Sequence, residues 1–154
     1  SCIKRYIDDK ISPWQKKGEF EKTVDFQKRV NKSTRKEIEV KYRKEAIEYF
    51  KKEAINSVES EDIFLKEYNA DLETFLINIS GYENFNLPVP LSKAPSFKKN
   101  FNANNFSDLD FIFDGNKFIV SYINLDGYTY PKGNRIKKEK EKDEDEMMIL
   151  PNKL

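Results

Sequence analysis

Three carboxylates stand close together at Glu19, Glu21 and Asp25, inside the stretch PWQKKGEFEKTVDFQKRVNKST of residues 13–34. Two carboxylates held about 5 to 10 Å apart across a cleft can divide the work of glycoside hydrolysis, one as a proton donor with a raised pKa and one as nucleophile or base. The neighbours argue against that use. Lys16, Lys17, Lys22 and Lys28 alternate with the acids, and nearby cations favour the ionised form. No glycine-rich or aromatic cleft is signalled beside them. Acidic residues at a helix start are favoured by the helix dipole, so the pattern reads as a helix junction. Trp14 and Phe20 are its expected apolar anchors, and Gly18 its turning point. A carboxylate-based hydrolase is kept only as an alternative.

A second acidic set, Asp108, Asp110 and Asp114, has the look of a calcium loop, but Leu109, Phe111 and Phe113 alternate with it as a strand would. No bidentate Glu follows at the twelfth position that such a loop requires. The expectation is a strand with outward Asp side chains. The bases Lys28, Arg29, Lys32, Arg35, Lys36, Lys41, Arg43 and Lys44, with Phe26 and Tyr42 nearby, offer the other alternative, nucleic-acid binding through charge and stacking. Acids interleave these bases throughout, which suits a solvated helix face. Phe111, Phe113, Phe118 and Tyr122 read as core rather than a ligand platform.

Histidine is absent, which removes every Ser-His, Cys-His and His-metal arrangement. The single cysteine, Cys2, cannot close an internal disulfide or build a multi-cysteine metal site. No catalytic, cofactor-binding or metal-ligating residue is therefore assigned, and no cofactor is expected. No apolar run reaches the 18 residues of a spanning helix. Attachment to a membrane is expected only if Cys2 carries a lipid.

The elements that would position these residues follow from periodicity. Aromatic residues make up 14% of the chain against a hydrophobic total of 38%, so the core must be rich in rings. Ile3, Tyr6, Ile7 and Ile11 mark an amphipathic helix, interrupted at Ser12-Pro13. A second helix is expected around Phe20, Phe26 and Val30. A third and longest covers 34–58, capped by Ser33 or Thr34 with Glu37 completing a capping box. After Ser60 the period falls to two: a hairpin through Asn69-Ala70-Asp71, an extended edge segment with Pro88 and Pro90, and a short helix capped at Ser92 carrying Phe97 and Phe101. A strong hairpin through Asp114-Gly115-Asn116 follows, with a further turn at Asp126-Gly127.

The class is α+β: N-terminal helices, one of them long and amphipathic, packed on a small antiparallel sheet. One domain is expected over 3–131, followed by a charged, disordered tail over 132–154 that ends in the apolar cluster Met147 to Leu150. Net charge is +1, which gives the whole molecule no pull toward nucleic acid. It is unevenly spread: residues 14–59 hold 13 bases and 9 acids, net +4, and residues 60–131 hold 5 bases and 10 acids, net −5.

WQKKGEFEKTVDFQKRV, followed by a long charged helix and then YNADLETFLINI, FNLPVPLSKAPSFKKNF and FIFDGNKFIVSYINL, resembles a bacterial domain family of no assigned activity. Its marks are W-x-K-K-G-E-F-E-K-T with D-F-Q-x-R-V, then L-P-V-P-L and A-P-S-F-K. That family recurs in secreted or envelope-associated multidomain proteins, some with a caspase-like peptidase domain elsewhere. The resemblance implies a non-catalytic accessory role in protein–protein contacts, with an extracytoplasmic or envelope-associated location, the alternative being cytoplasmic. The family usually continues with further strands where this chain turns to charge. An open sheet edge, pairing with a protein partner or a second copy, is the expectation that follows.

Overall fold

The computed structural model describes residues 2–133, and the expected charged tail lies outside the described residues from position 134 onward. Among the described residues four α-helices and six strands run in the order α1 (Cys2–Trp14), α2 (Thr23–Arg29), α3 (Lys32–Ser57), β1 (Ile63–Asn69), β2 (Thr74–Ile79), β3 (Phe85–Pro88), α4 (Ala94–Asn100), β4 (Phe106–Phe113), β5 (Phe118–Leu125) and β6 (Tyr128–Tyr130). Short 3-10 turns precede β1 and β4. The class is α+β, with the strands divided between two antiparallel sheets, β1-β2-β3 and β4-β5-β6. Contacts divide the described chain into two compact units, one ending at Phe50 and one beginning at Lys51.

In the first unit, Ile3, Ile7 and Ile11 form the buried face of α1, and Ala46 and Ile47 that of α3. Tyr6 joins the two helices, its ring 6.1 Å from Tyr49 and 6.2 Å from Phe50. Tyr49, expected inside the stripe, keeps half its surface in water, because a tyrosine can pack one ring face and leave its polar end wet. Pro13 does not interrupt α1 as the sequence suggests. It sits in the last turn, one residue before the helix ends, so its missing N–H removes a single bond at the end of the ladder. The cap of α3 also differs from expectation. Asn31 Oδ1 accepts from the backbone N–H groups of Ser33 and Thr34, both at 3.0 Å, while Thr34 Oγ1 accepts from Asn31 N–H at 2.9 Å. Asn31 and Thr34 thus make the reciprocal box assigned in the sequence to Ser33 or Thr34 and Glu37.

The second unit holds one shared core. Ile63, Phe75, Ile77, Ile79 and Leu87 come from one sheet and Leu109, Phe111, Val120, Ile123 and Leu125 from the other, with Phe97 from α4 and Val58 from just beyond α3. Ala54 and Ile55, in the last turns of α3, pack against this core. β3 adjoins β6, where the Phe85 and Tyr130 rings stand 4.6 Å apart. Pro88 ends β3 at a sheet edge, the position a residue without an N–H can occupy. Ser92 does not cap α4. The helix starts after Lys93 with no side-chain cap, and Pro95 stands at its first positions, where no donor is needed.

Strict alternation would place Tyr68 on the face of Phe64 and Lys66, and Asp110 outward in solvent; the structure differs at both. A shift in the β1–β2 register between Leu65 and Tyr68 brings Tyr68 to the inner side, where its hydroxyl donates to the Val89 carbonyl at 2.8 Å. A second shift falls between Asp110 and Phe111, with the extra residue on β5; Asp110 keeps the face opposite the core residues Leu109 and Phe111, and it is buried there rather than in solvent because Lys51 of α3 lies against it. A bulge adds one residue to one strand, which re-aims the side chains beside it.

Candidate functional site

The chain leaves α1 at Trp14, makes a tight turn over residues 18–21 and enters α2 at Thr23. Arg29, in the last turn of α2, holds this connection together. Its Nε and Nη2 donate to the two Glu21 carboxylate oxygens at 2.7 and 2.9 Å, a forked pair. The same guanidinium donates from Nη1 to the Trp14 carbonyl and from Nη2 to the Lys16 carbonyl at 2.9 Å. Carbonyls at and just past a helix end have no partner within the helix, and a rigid five-donor guanidinium can reach several of them together with a carboxylate, which a lysine cannot. The cation also lies 6.0 Å from the Trp14 ring centre and 5.7 Å from that of Phe26. The junction is therefore anchored by Arg29, Trp14 and Glu21.

Glu21 closes the turn as well as the clamp. Its Oε1 accepts from Gly18 N–H at 3.0 Å, and its own N–H donates to the Gly18 carbonyl at 3.2 Å. The hydrogen bond from Arg29, followed by that from Gly18, pulls the Glu21 pKa down to about 2. A carboxyl so held stays ionised at neutral pH and has no proton to donate to a leaving group. Glu19 and Asp25 are exposed, and Asp25 lies in the first turn of α2. Of the three clustered acids, Glu21 alone enters the clamp.

Phe20 differs from its expected role as an anchor. It occupies the tip of the turn with 96% of its surface exposed. The reason is geometric: Gly18 and Glu21 close the turn through their backbones and the Glu21 side chain, which leaves the residue between them no wall to pack against. Val24, at the start of α2, is also exposed. Lys16, Lys17 and Lys22 on the same connection all reach solvent, as does Lys28 in the last turn of α2. The arrangement is a fixed turn presenting an apolar side chain among cations.

The other candidates separate. Arg29 belongs to the clamp, Tyr42 is half-buried with Lys41 Nζ 5.5 Å from its ring centre, and Lys28, Lys32, Arg35, Lys36, Lys41 and Lys44 are exposed. Asp114 Oδ1 accepts from the N–H groups of Asn116 and Lys117, both at 2.9 Å, inside the β4–β5 turn, and these bonds lower its pKa. Asp110 faces Lys51 of α3 at 3.9 Å, a pair the sequence does not announce. Phe111 is fully buried and Tyr122 is buried, while Phe113 and Phe118 are half-buried with rings 5.2 Å apart. Among the described residues no group of three or more Asp, Glu or Cys side chains is placed to hold a metal ion, and no helix is long and apolar enough to cross a membrane. Cys2 is exposed. A shallow groove of about 640 Å³ runs past Leu72, Glu73, Val89, Pro90 and Tyr128. The apolar cluster at Met147 to Leu150 lies outside the described residues.

Comparison with protein-family models, with curated proteins and with solved structures gives no match for this chain.

The clamp predicts a pH dependence whose sign is fixed. Because folding lowers the Glu21 pKa to about 2 from an unfolded value near 4.3, its contribution to stability is complete above the unfolded value. That contribution is lost as pH falls through the folded one. Urea midpoints of the wild type and Glu21→Gln should therefore differ most above about pH 5 and converge toward pH 2. A gap between the two proteins that stays constant across that range would contradict the clamp.

Proposed function

We propose that this chain is a non-catalytic accessory module that makes protein–protein contacts through the turn between α1 and α2, in an extracytoplasmic or envelope setting. The observation that carries this reading is the full exposure of Phe20 on a turn fixed by Glu21 and Arg29. A single exposed apolar residue on a surface is ordinary. One held at the apex of a hydrogen-bonded turn has already lost the conformational freedom that a partner would otherwise have to remove, and aromatic anchors presented in this way dominate binding energies. The sheet edges support the reading less well. β3 ends in a proline, and both β1 and β4 carry register shifts beside charged residues, devices that discourage edge pairing.

The test is affinity capture from extracts of the source cells, comparing the full chain with Phe20→Ser. The serine variant should unfold at an unchanged midpoint, to within about 0.5 kcal/mol, because it alters only exposed surface. It should also lose proteins that the wild type retains. Equal retention by both proteins would remove Phe20 from the contact and the proposal with it.

A further inference from the structure

We infer that the groove between β3 and β6 takes the C-terminal end of an extended peptide, an apolar last residue together with its free carboxylate. The site lies in the second unit and uses no residue of the Phe20 turn. β3 and β6 adjoin but belong to different sheets. At one end of the seam the Phe85 and Tyr130 rings close it, 4.6 Å apart. Toward the other end Pro88 and Val89 stand opposite Tyr128 and Thr129 across a groove of about 640 Å³, a volume in the range of ligand sites.

The backbone supplies the first part of the recognition. Val89 N–H donates to the Glu73 carbonyl at 3.0 Å, so by antiparallel alternation the Pro88 carbonyl turns away from β2. The Asp126-Gly127 turn closes at Leu125 and Tyr128, which turns the N–H and carbonyl of Thr129 away from β5. Both strands thus point backbone groups into the seam. Pro88 has no N–H to offer, so a peptide laid there pairs along β6, as an added strand does. The second part is Thr74, which lines the groove although its hydroxyl oxygen is closed off from solvent and meets no partner among the described residues. A buried polar group left so is costly, and one step of χ1 puts the hydroxyl where the methyl stands, within reach of a ligand. Charge supplies the third part. Glu73 is tied to the strand end, its carboxylate accepting from Leu91 N–H at 2.7 Å, while Lys132 is the cation among the lining residues and is exposed. An ammonium and a hydroxyl both donate to a carboxylate, and Leu72, Pro88 and Tyr128 give the side chain beside it an apolar wall. A fatty acid shares the carboxylate and the apolar body but has no amides for Thr129, which favours the peptide.

The experiment titrates the isotopically labelled full chain with a pool of acetylated pentapeptides that end in Val, Leu, Ile or Phe with a free carboxylate, then with the same pool amidated, then with octanoate. The acid pool should shift the backbone amide signals of Thr74, Val89, Thr129 and Lys132. Amidation should weaken binding by about tenfold or more, the scale of a lost hydrogen bond between charged groups. Lys132→Met should weaken the acid pool as much and leave the amidated pool unchanged. Thr74→Val removes a hydroxyl that has no partner, so it should weaken the acid pool by a similar factor without lowering the urea midpoint. Glu73→Gln keeps the acceptor for Leu91 and loses a like charge, so it should bind the acid pool more tightly. Equal affinity for the two pools, weaker binding by Glu73→Gln, shifts confined to other residues, or no shift at millimolar peptide would overturn the inference. Octanoate shifting the same signals as tightly as the acid pool would overturn the peptide as occupant. None of these outcomes bears on Phe20, whose role rests on its own variant.

Discussion

Lys51→Met should destabilise the protein by about 3 kcal/mol, and adding Asp110→Leu to that variant should restore most of the loss. The two side chains are only 10% and 12% exposed, with the ammonium 3.9 Å from Asp110 Oδ1. Removing charges from water costs several kcal/mol per ion, and mutual attraction offsets this only while both partners are present. Deleting Lys51 leaves a buried carboxylate whose compensation is reduced to its remaining contacts, among them the Phe111 N–H that donates to it at 2.9 Å. The separation is long for a salt bridge, which places the expected loss at the low end of the range for broken buried pairs. Replacing both groups by apolar side chains of similar reach removes the desolvation cost together with the attraction. Urea denaturation of the two single variants and the double variant forms the cycle that measures this. Single losses below about 1 kcal/mol, or a double variant whose loss equals their sum, would show that the pair is not energetically coupled.

That pair also marks the limit of what the residues announce. Turns were legible because their chemistry is local. Asp126 and Gly127 both take positive φ, +50° and +88°, the conformation that the two-residue hairpin turn demands and that Asp-Gly tolerates. Asp114 is likewise readable as the acceptor of its own turn. The bulge in β1 had no such mark. The alternation through Leu65, Lys66, Glu67 and Tyr68 is complete on paper, and only the tertiary demand for the Tyr68 hydroxyl at Val89 shows where one residue is inserted, just as only Lys51, on a helix distant in sequence, shows why Asp110 is covered.

At the candidate site the division is similar. Trp14 could be read as an anchor, but Arg29 was hidden among lysines of the same charge. Its distinguishing signal is the guanidinium itself, shared in the run 28–44 with Arg35 and Arg43, which can fork onto a carboxylate and still reach carbonyls. Phe20 misled through its hydrophobicity, since apolar character predicts burial only on average. The helix-start reading of Glu21 failed for a related reason. It precedes α2 and acts on a residue at the far end of that helix, a relation that no nearest-neighbour rule contains. Asn31 could have been found: an Asn followed three residues later by Thr is a capping pattern in its own right.

The largest loss among single substitutions is expected at Phe75. Phe75→Ala should lower the unfolding free energy by about 3–5 kcal/mol, a large part of the 5–15 kcal/mol that holds a typical domain together. Phe75 is 1% exposed and lies in the central strand of its sheet, opposite Tyr68 and Leu87. Its ring is 4.6 Å from Tyr68 and 5.1 Å from Phe97. Phe97 in turn meets Phe101 at 5.6 Å and Tyr128 edge-on at 5.2 Å. Phe75 therefore stands in a chain of rings that runs from β1 through α4 to β6, the second sheet. Alanine removes the transfer energy of the ring and leaves a cavity whose walls are themselves rings and strands, which cannot close in without giving up contacts of their own. Phe75→Leu keeps most of the volume and should lose only about 1–2 kcal/mol, so the ratio of the two variants separates cavity formation from the loss of ring-to-ring geometry. Far-UV and tyrosine near-UV dichroism through a urea titration give both values, and Phe20→Ala, which uncovers no core, serves as the unchanged control. A loss below about 1 kcal/mol for Phe75→Ala would mean that the walls do collapse. The aromatic chain would then be a loosely packed surface between the two sheets rather than the contact that joins them.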